Sequence, residues 1–308
     1  MNKGKPWVAL VILAVVIGIG ANRALPGSRD KGAAVPSVAG VVDAAAGLPL
    51  VSPIGLASVF GDFARATTVS TSIPLQLDFD GFRVKFDGKP AALLGAFDLS
   101  QDQANVQVPV DLVVSDGTVQ VEIERVDESG IVMSSAFQVP VALASPGIFE
   151  FVGRAIVTNF SLGNDDVITG TWAHDAGSVP PEFVQFNIPV QAAAVGGVIT
   201  IWCSGLGPLV QPDGPPRLET GNNPNPAAGV LFTEKQVRVF IGGVEGTALG
   251  AALQGEFVGL YLVNAIVPEI PANDSAEIVI EVILDEDTTV RSKTQTFISV
   301  RQKPAPAA

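Results

Sequence analysis

TVQVEIERV, residues 118–126, is the stretch whose reading decides the fold. It sets Val119, Val121, Ile123 and Arg125 on one side, and Thr118, Gln120, Glu122, Glu124 and Val126 on the other. Alternation of this kind over five to nine residues marks a strand with one face buried. The same pattern recurs in FRVKFDG (82–88), QVRVFIGG (236–243), AEIVIEVIL (276–284) and TQTFISVR (294–301). Turn-forming pairs separate the runs: Asp87-Gly88, Asp116-Gly117, Ser129-Gly130, Asp213-Gly214 and Gly242-Gly243. Helical periodicity is nearly absent. Many short strands with frequent turns predict an all-β chain of antiparallel sandwiches.

The chain also repeats itself. VKFDGKPAALL (84–94), QANVQVP (103–109), GTVQVEIERV (117–126) and SAFQVPV (135–141) form one copy. VFIGGVEGTAL (239–249), LVNAIVP (262–268), SAEIVIEVIL (275–284) and QTFISV (295–300) form the other. Asn105 and Asn264 stand 159 residues apart, as do Pro109 and Pro268. A period this long means two related domains rather than a solenoid, whose repeats run about 20–50 residues. The expected division is a sandwich over 38–145 and a second over 146–303, with SPGIF (145–149) as the hinge and a tail at 304–308. The second copy carries an insertion at 206–230 with six Pro. Long loops of this kind often carry binding surfaces.

Composition excludes several classes. The 308 residues hold 18 Lys+Arg against 31 Asp+Glu, for a net charge of −13. An acidic chain without a basic cluster is a poor partner for nucleic acid. Hydrophobic residues make up 47% and charged residues 16%, which is not the composition of a disordered chain. One Cys and one His rule out an internal disulfide and a multi-histidine metal site.

The N-terminus carries an address. Residues 7–21, WVALVILAVVIGIGA, are uncharged; Lys3 and Lys5 precede them, and Arg23, Arg29 and Lys31 follow. A basic start and about 15 apolar residues form an export signal, while a membrane span prefers about 20. The segment 1–21 is therefore a cleaved signal or a retained anchor helix, with 22–37 as a linker. The expected location is periplasmic, outer-surface or secreted, with membrane contact only through 7–21 if it stays uncleaved.

Further runs carry a resemblance. GVVDAAAG (40–47), SPIGLASVFG (52–61), ASPGIF (144–149), PVQAAAVGGVITIWCSGLGP (189–208) and GEFVGLYLVNAIVP (255–268) occur in this order. With them the chain, over about residues 38–301, resembles a secreted domain family of Solibacter-type acidobacteria. Its most specific marks are SGLGP and G-x-x-G-L-Y-x-V-N-x-x-V-P. The resemblance implies two tandem Ig-like β-sandwiches, in the style of the IPT/TIG class, and no established activity or catalytic residues. Leu262 departs from the pattern: it stands where the family commonly has Gln. A side-chain hydrogen bond made by that Gln would be lost here.

Individual residues admit sharper readings. His174 beside Asp175 could orient a base, and Ser204 in CSGLG is the nearest nucleophile look-alike. CSGLG is not G-x-S-x-G: Cys203 stands just before Ser204, and the strand-to-helix context of a nucleophile elbow is missing. A turn His is the simpler reading. Cys203, in the apolar run VITIWC, reads as a buried small hydrophobe. Asn164-Asp165-Asp166 and Asp285-Glu286-Asp287 lack the spacing of a calcium loop and read as solvated turns. Asn105 and Asn264 read as paired structural residues bonding local backbone. Gly205 and Gly207 read as turn glycines, since Pro208 removes an amide donor that a phosphate loop would use.

The expected function is a non-catalytic extracytoplasmic module for adhesion, assembly or surface display. Its partners are other cell-surface or secreted proteins, and it needs no cofactor, metal or catalytic residue. The alternative is a carbohydrate- or polymer-binding module using aromatics near Trp172, Phe183 and Phe186. A hydrolase is the third reading.

Overall fold

The computed structural model describes residues 35–64, 66–128, 130–160, 171–179, 189–211, 214, 217–224 and 229–303. The segment 1–21, the linker up to residue 34, the Asn164-Asp165-Asp166 cluster, Phe183, Phe186 and the 304–308 tail lie outside these residues. The described chain is all-β, with no helix among the described residues.

The first half contains β1 (Ser37–Asp43), β2 (Leu56–Asp62), β3 (Thr68–Val69), β4 (Phe82–Phe86), β5 (Lys89–Pro90), β6 (Ala92–Phe97), β7 (Asp102–Gln107), β8 (Thr118–Asp127), β9 (Gly130–Met133) and β10 (Phe137–Pro140). One sheet runs β1-β2-β7-β6-β3; the other runs β10-β8-β4-β5, with β9 beside β8. Val41, Val59, Leu93 and Val106 from the first sheet meet Val84, Phe86, Val121 and Ile123 from the second in one buried cluster. Each large aliphatic side chain fully buried in this way contributes about 1.5–3 kcal/mol. The alternation of 118–126 is followed closely: Val119, Val121, Ile123 and Arg125 are all buried. Arg125 keeps a polar partner by donating from Nη1 to the Phe63 carbonyl oxygen at 3.4 Å.

The second half contains β11 (Gly147–Ile148), β12 (Glu150–Phe151), β13 (Arg154–Ala155), β14 (Val157–Asn159), β15 (Thr171–Trp172), β16 (Ala193–Ala194), β17 (Val198–Ser204), β18 (Leu209–Val210), β19 (Phe232–Thr233), β20 (Gln236–Ile241), β21 (Val244–Leu253), β22 (Tyr261–Ile266), β23 (Asn273–Ile283), β24 (Thr289–Arg291) and β25 (Phe297–Arg301). Its hydrogen-bonded path is β12-β13-β25-β23-β20-β21-β22-β17-β14-β15. The path is continuous because β21 pairs with β20 at one end and with β22 at the other. In the first half the corresponding stretch breaks into β5 and β6 at Ala91.

The internal repeat holds at the level of register. Asn105 pairs with Ser58 and Gly95, with an irregularity between Leu93 and Gly95. Asn264 pairs with Thr200 and Gly250, with an irregularity between Ala248 and Gly250. Arg83 faces Glu124 across β4 and β8, as Arg238 faces Glu281 across β20 and β23. Two buried serines also correspond. Ser134 Oγ accepts from the Ile123 amide at 2.9 Å, and Ser292 Oγ accepts from the Ile280 amide at 3.0 Å. Both satisfy a mid-strand donor that the neighbouring strand leaves open.

SPGIF is not an exposed hinge. Ser145, Ile148 and Phe149 are buried, and Gly147–Ile148 is strand β11, paired with Ser204 and Cys203 of β17. A third cluster joins Ala44, Ala45 and Leu56 of the first half to Phe149, Ile156, Trp172 and Leu260 of the second. The two halves therefore meet through packed apolar surface rather than through a free linker.

Candidate functional site

The two runs that carry the resemblance most specifically meet at this junction. Ser204 Oγ accepts from the Leu56 amide at 2.8 Å and donates to the Gly259 carbonyl oxygen at 3.4 Å. The Ser145 amide donates to the Gly205 carbonyl oxygen at 2.8 Å. Tyr261, fully buried, donates its hydroxyl to the Gly207 carbonyl oxygen at 2.9 Å. Gly205 has φ +73°, and a Cβ there would overlap the Ser145 carbonyl oxygen. Gly259 also has φ +73°, and a Cβ there would come within 2.6 Å of Leu56 Cδ2. Both conditions, left-handed backbone and close approach, select glycine. Gly205 and Gly207 both take left-handed backbone in the irregular link between β17 and β18, and this link serves the joint between halves.

The described part of the insertion also docks on the first half. The Gly221 amide donates to Gln107 Oε1 at 2.7 Å, and Gly221 accepts from the Leu75 amide at 2.8 Å. Thr220 Oγ1 accepts from the Val110 amide at 3.1 Å.

A cavity of about 400 Å³ opens beside this joint. Leu56 and Leu94 wall it from the first half, Phe257 and Leu260 from the second, and Ser70–Ser72 form part of its lining. Asn105 also lines it, although the residue is only 1% exposed. Asn105 Oδ1 accepts from Ser58 Oγ and from Gln103 Nε2, both at 2.8 Å. Its Nδ2 is buried without a partner among the described residues. The expectation that Asn105 and Asn264 bond local backbone needs correction. Each accepts instead from a hydroxyl on the paired strand, Asn264 from Thr200 Oγ1 at 2.6 Å. Asn264 is exposed, so the two copies sit in different surroundings. The Leu262 departure explains part of the difference. Leu262 occupies the place of Gln103, and the bond missing from the second copy is the Gln103 amide to Asn105.

The remaining candidates are dispersed. His174 is fully buried, and its Nε2 donates to the Ala155 carbonyl oxygen at 2.9 Å. Burial is the main cause that lowers its pKa to about 4, so the ring is neutral at physiological pH. Asp175 instead closes a turn, accepting from the Gly177 amide at 2.9 Å. Ser204 is bonded at the joint, so His174, Asp175 and Ser204 do not assemble into a nucleophile–base pair. Cys203 is buried, its thiol pushed up mainly by burial, and it donates to the Tyr261 carbonyl oxygen at 3.5 Å. Asp285 caps a hairpin turn by accepting from the Asp287 amide at 3.0 Å. Among the described residues no three His, Cys, Asp or Glu side chains are grouped to hold a metal ion. Trp172 is 4% exposed and belongs to the junction cluster, which removes it as a platform for sugar stacking.

Asp43 is among the buried carboxyls whose burial the sequence does not reveal. Asp43, 2% exposed, accepts from the Ala45 amide at 2.9 Å and the Ala46 amide at 2.6 Å. Burial raises its pKa to about 7 despite these two bonds and the nearby Lys293. The D-A-A-A-G run reads as an Asx turn from sequence, but nothing local shows that Gly147 will pack against its carboxyl.

No family model matches the chain, and no curated protein matches it.

Proposed function

We propose that the chain is a non-catalytic extracytoplasmic module: two tandem Ig-like sandwiches, held in a fixed arrangement, behind an export signal or membrane anchor. Its task is adhesion, assembly or surface display toward other exported proteins. The observation that carries this reading is the use made of the most specific runs. SGLGP and the Gly259–Tyr261 segment are spent on joining the halves, through Ser204, Gly205 and Gly259. A module that presents a surface at a set distance and angle needs such a joint. The resemblance to the acidobacterial secreted family supports the same reading, as does the basic-then-apolar start at 1–21.

The carbohydrate-binding alternative loses support with the burial of Trp172. The hydrolase reading loses support because His174 and Ser204 are each bonded elsewhere. A reporter active only outside the cytoplasm, fused after residue 40, tests the location. Activity is expected; activity only of a cytoplasmic reporter would overturn it. A panel of ester and glycoside substrates tests the absence of catalysis. Turnover abolished by His174→Ala in a folded protein would put the hydrolase first.

A further inference from the structure

We propose that the cavity at the junction binds a small neutral molecule with an apolar body and one hydrogen-bond acceptor, such as a carbonyl, and that Asn105 Nδ2 is its polar contact. Three observations lead there. The volume, about 400 Å³, falls within the range of small-molecule sites, and the walls are mostly aliphatic and aromatic. The buried polar floor offers a donor: Asn105 Oδ1 already takes two hydrogen bonds, while Nδ2 is unpartnered at 1% exposure. A buried donor left open costs about 1–3 kcal/mol, a cost that an acceptor on a ligand would remove. Among the described residues Glu256 is the one charged residue on the lining, and its carboxylate disfavours an anionic ligand.

The internal repeat sharpens the inference. Both copies keep the Asn, its hydroxyl partner and the opposed Gly, so those parts belong to the shared framework. The first copy adds the Gln103 bond, full burial and a cavity that Asn105 lines. Asn264 thus serves as an internal control for Asn105. The ligand site is independent of the display reading and would stand if that reading failed.

The test uses the full chain and two neutral fluorescent probes. Nile red carries a carbonyl acceptor; N-phenyl-1-naphthylamine carries an N–H and no carbonyl. Nile red is expected to bind saturably at one site per chain. Asn105→Leu should weaken it about five- to tenfold, the effect of one buried hydrogen bond. Asn264→Leu should leave it unchanged. Ser70→Trp, at a half-buried lining position, should obstruct the cavity and weaken both probes at least about tenfold, as expected when an aromatic ring occupies the space of the ligand. If Asn105→Leu does not fold, the Ser70→Trp result decides. Absence of saturable binding, binding unaffected by Ser70→Trp, or equal losses from the two Asn variants would overturn the site. A loss on Asn105→Leu confined to the amine probe would overturn the acceptor assignment.

Discussion

Replacing Asp43 by Asn should change how the protein's stability depends on pH, and the structure gives both sign and size. The carboxyl is buried at the end of β1, where its oxygen holds the amides of Ala45 and Ala46. Its pKa rises from 3.8 to about 7, with desolvation the largest cause. Between those values the folded protein keeps the proton while the unfolded chain has lost it. The unfolded state then binds fewer protons, so stability falls as pH rises from about 4 to about 7. At about 1.4 kcal/mol for each tenfold step, the loss between pH 4.5 and 7.5 is about 3 kcal/mol. Asn keeps the oxygen that accepts the two amides and cannot ionise. Urea unfolding of parent and Asp43→Asn at both pH values measures the difference, and His174, present in both, cancels. The parent should lose about 3 kcal/mol relative to the variant over this interval. Parallel pH profiles would refute the reasoning, because they would place the carboxyl in contact with solvent.

Other outcomes follow from the same geometry. Ser204→Ala leaves the buried Leu56 amide without its acceptor and should lower stability by about 1–3 kcal/mol in chemical denaturation; a change within error would show that the amide finds another partner. Gly205→Ala forces Cβ onto the Ser145 carbonyl oxygen in left-handed backbone and should lower the melting temperature more than Gly88→Ala, whose Cβ would meet nothing within 4 Å. The single imidazole, His174, should remain neutral by NMR at pH 5.5, titrating only near pH 4. That depressed pKa makes it oppose folding as pH falls from 6.5 through about 4, opposite in sign to Asp43.

Much of the fold was legible because alternation and turn chemistry are local. FRVKFDG, TVQVEIERV, QVRVFIGG and AEIVIEVIL all form strands where their alternation places them, and Asp87-Gly88 and Gly242-Gly243 form the hairpin turns. The repeat was legible because equivalent strands keep equivalent pairs, down to Asn105–Ser58 and Asn264–Thr200. What escaped depends on contacts across long sequence separations. Ser204 reaches Leu56 across 148 residues, and Gly221 reaches Gln107 across 114. Identical motifs hid different environments: the Asn of N-x-x-V-P is buried beside a cavity in one copy and exposed in the other. SPGIF read as a hinge because Pro and Gly interrupt strands, yet its Ser145 and Phe149 are held by Gly205 and Trp202. Trp172 read as a candidate platform because aromatic type is visible in sequence and burial is not.

The central claim is that the SGLGP and Gly259–Tyr261 segments fix the two halves relative to each other. Spin labels at Ile131→Cys on β9 and Leu249→Cys on β21 test it directly. Both positions are exposed, at 66% and 55%, while the chain's one native Cys is buried and shielded from labelling. Pulsed dipolar spectroscopy of the full chain should give one narrow distance distribution, and Gly205→Val should broaden it. A broad distribution in the parent, unchanged by Gly205→Val, would contradict the account.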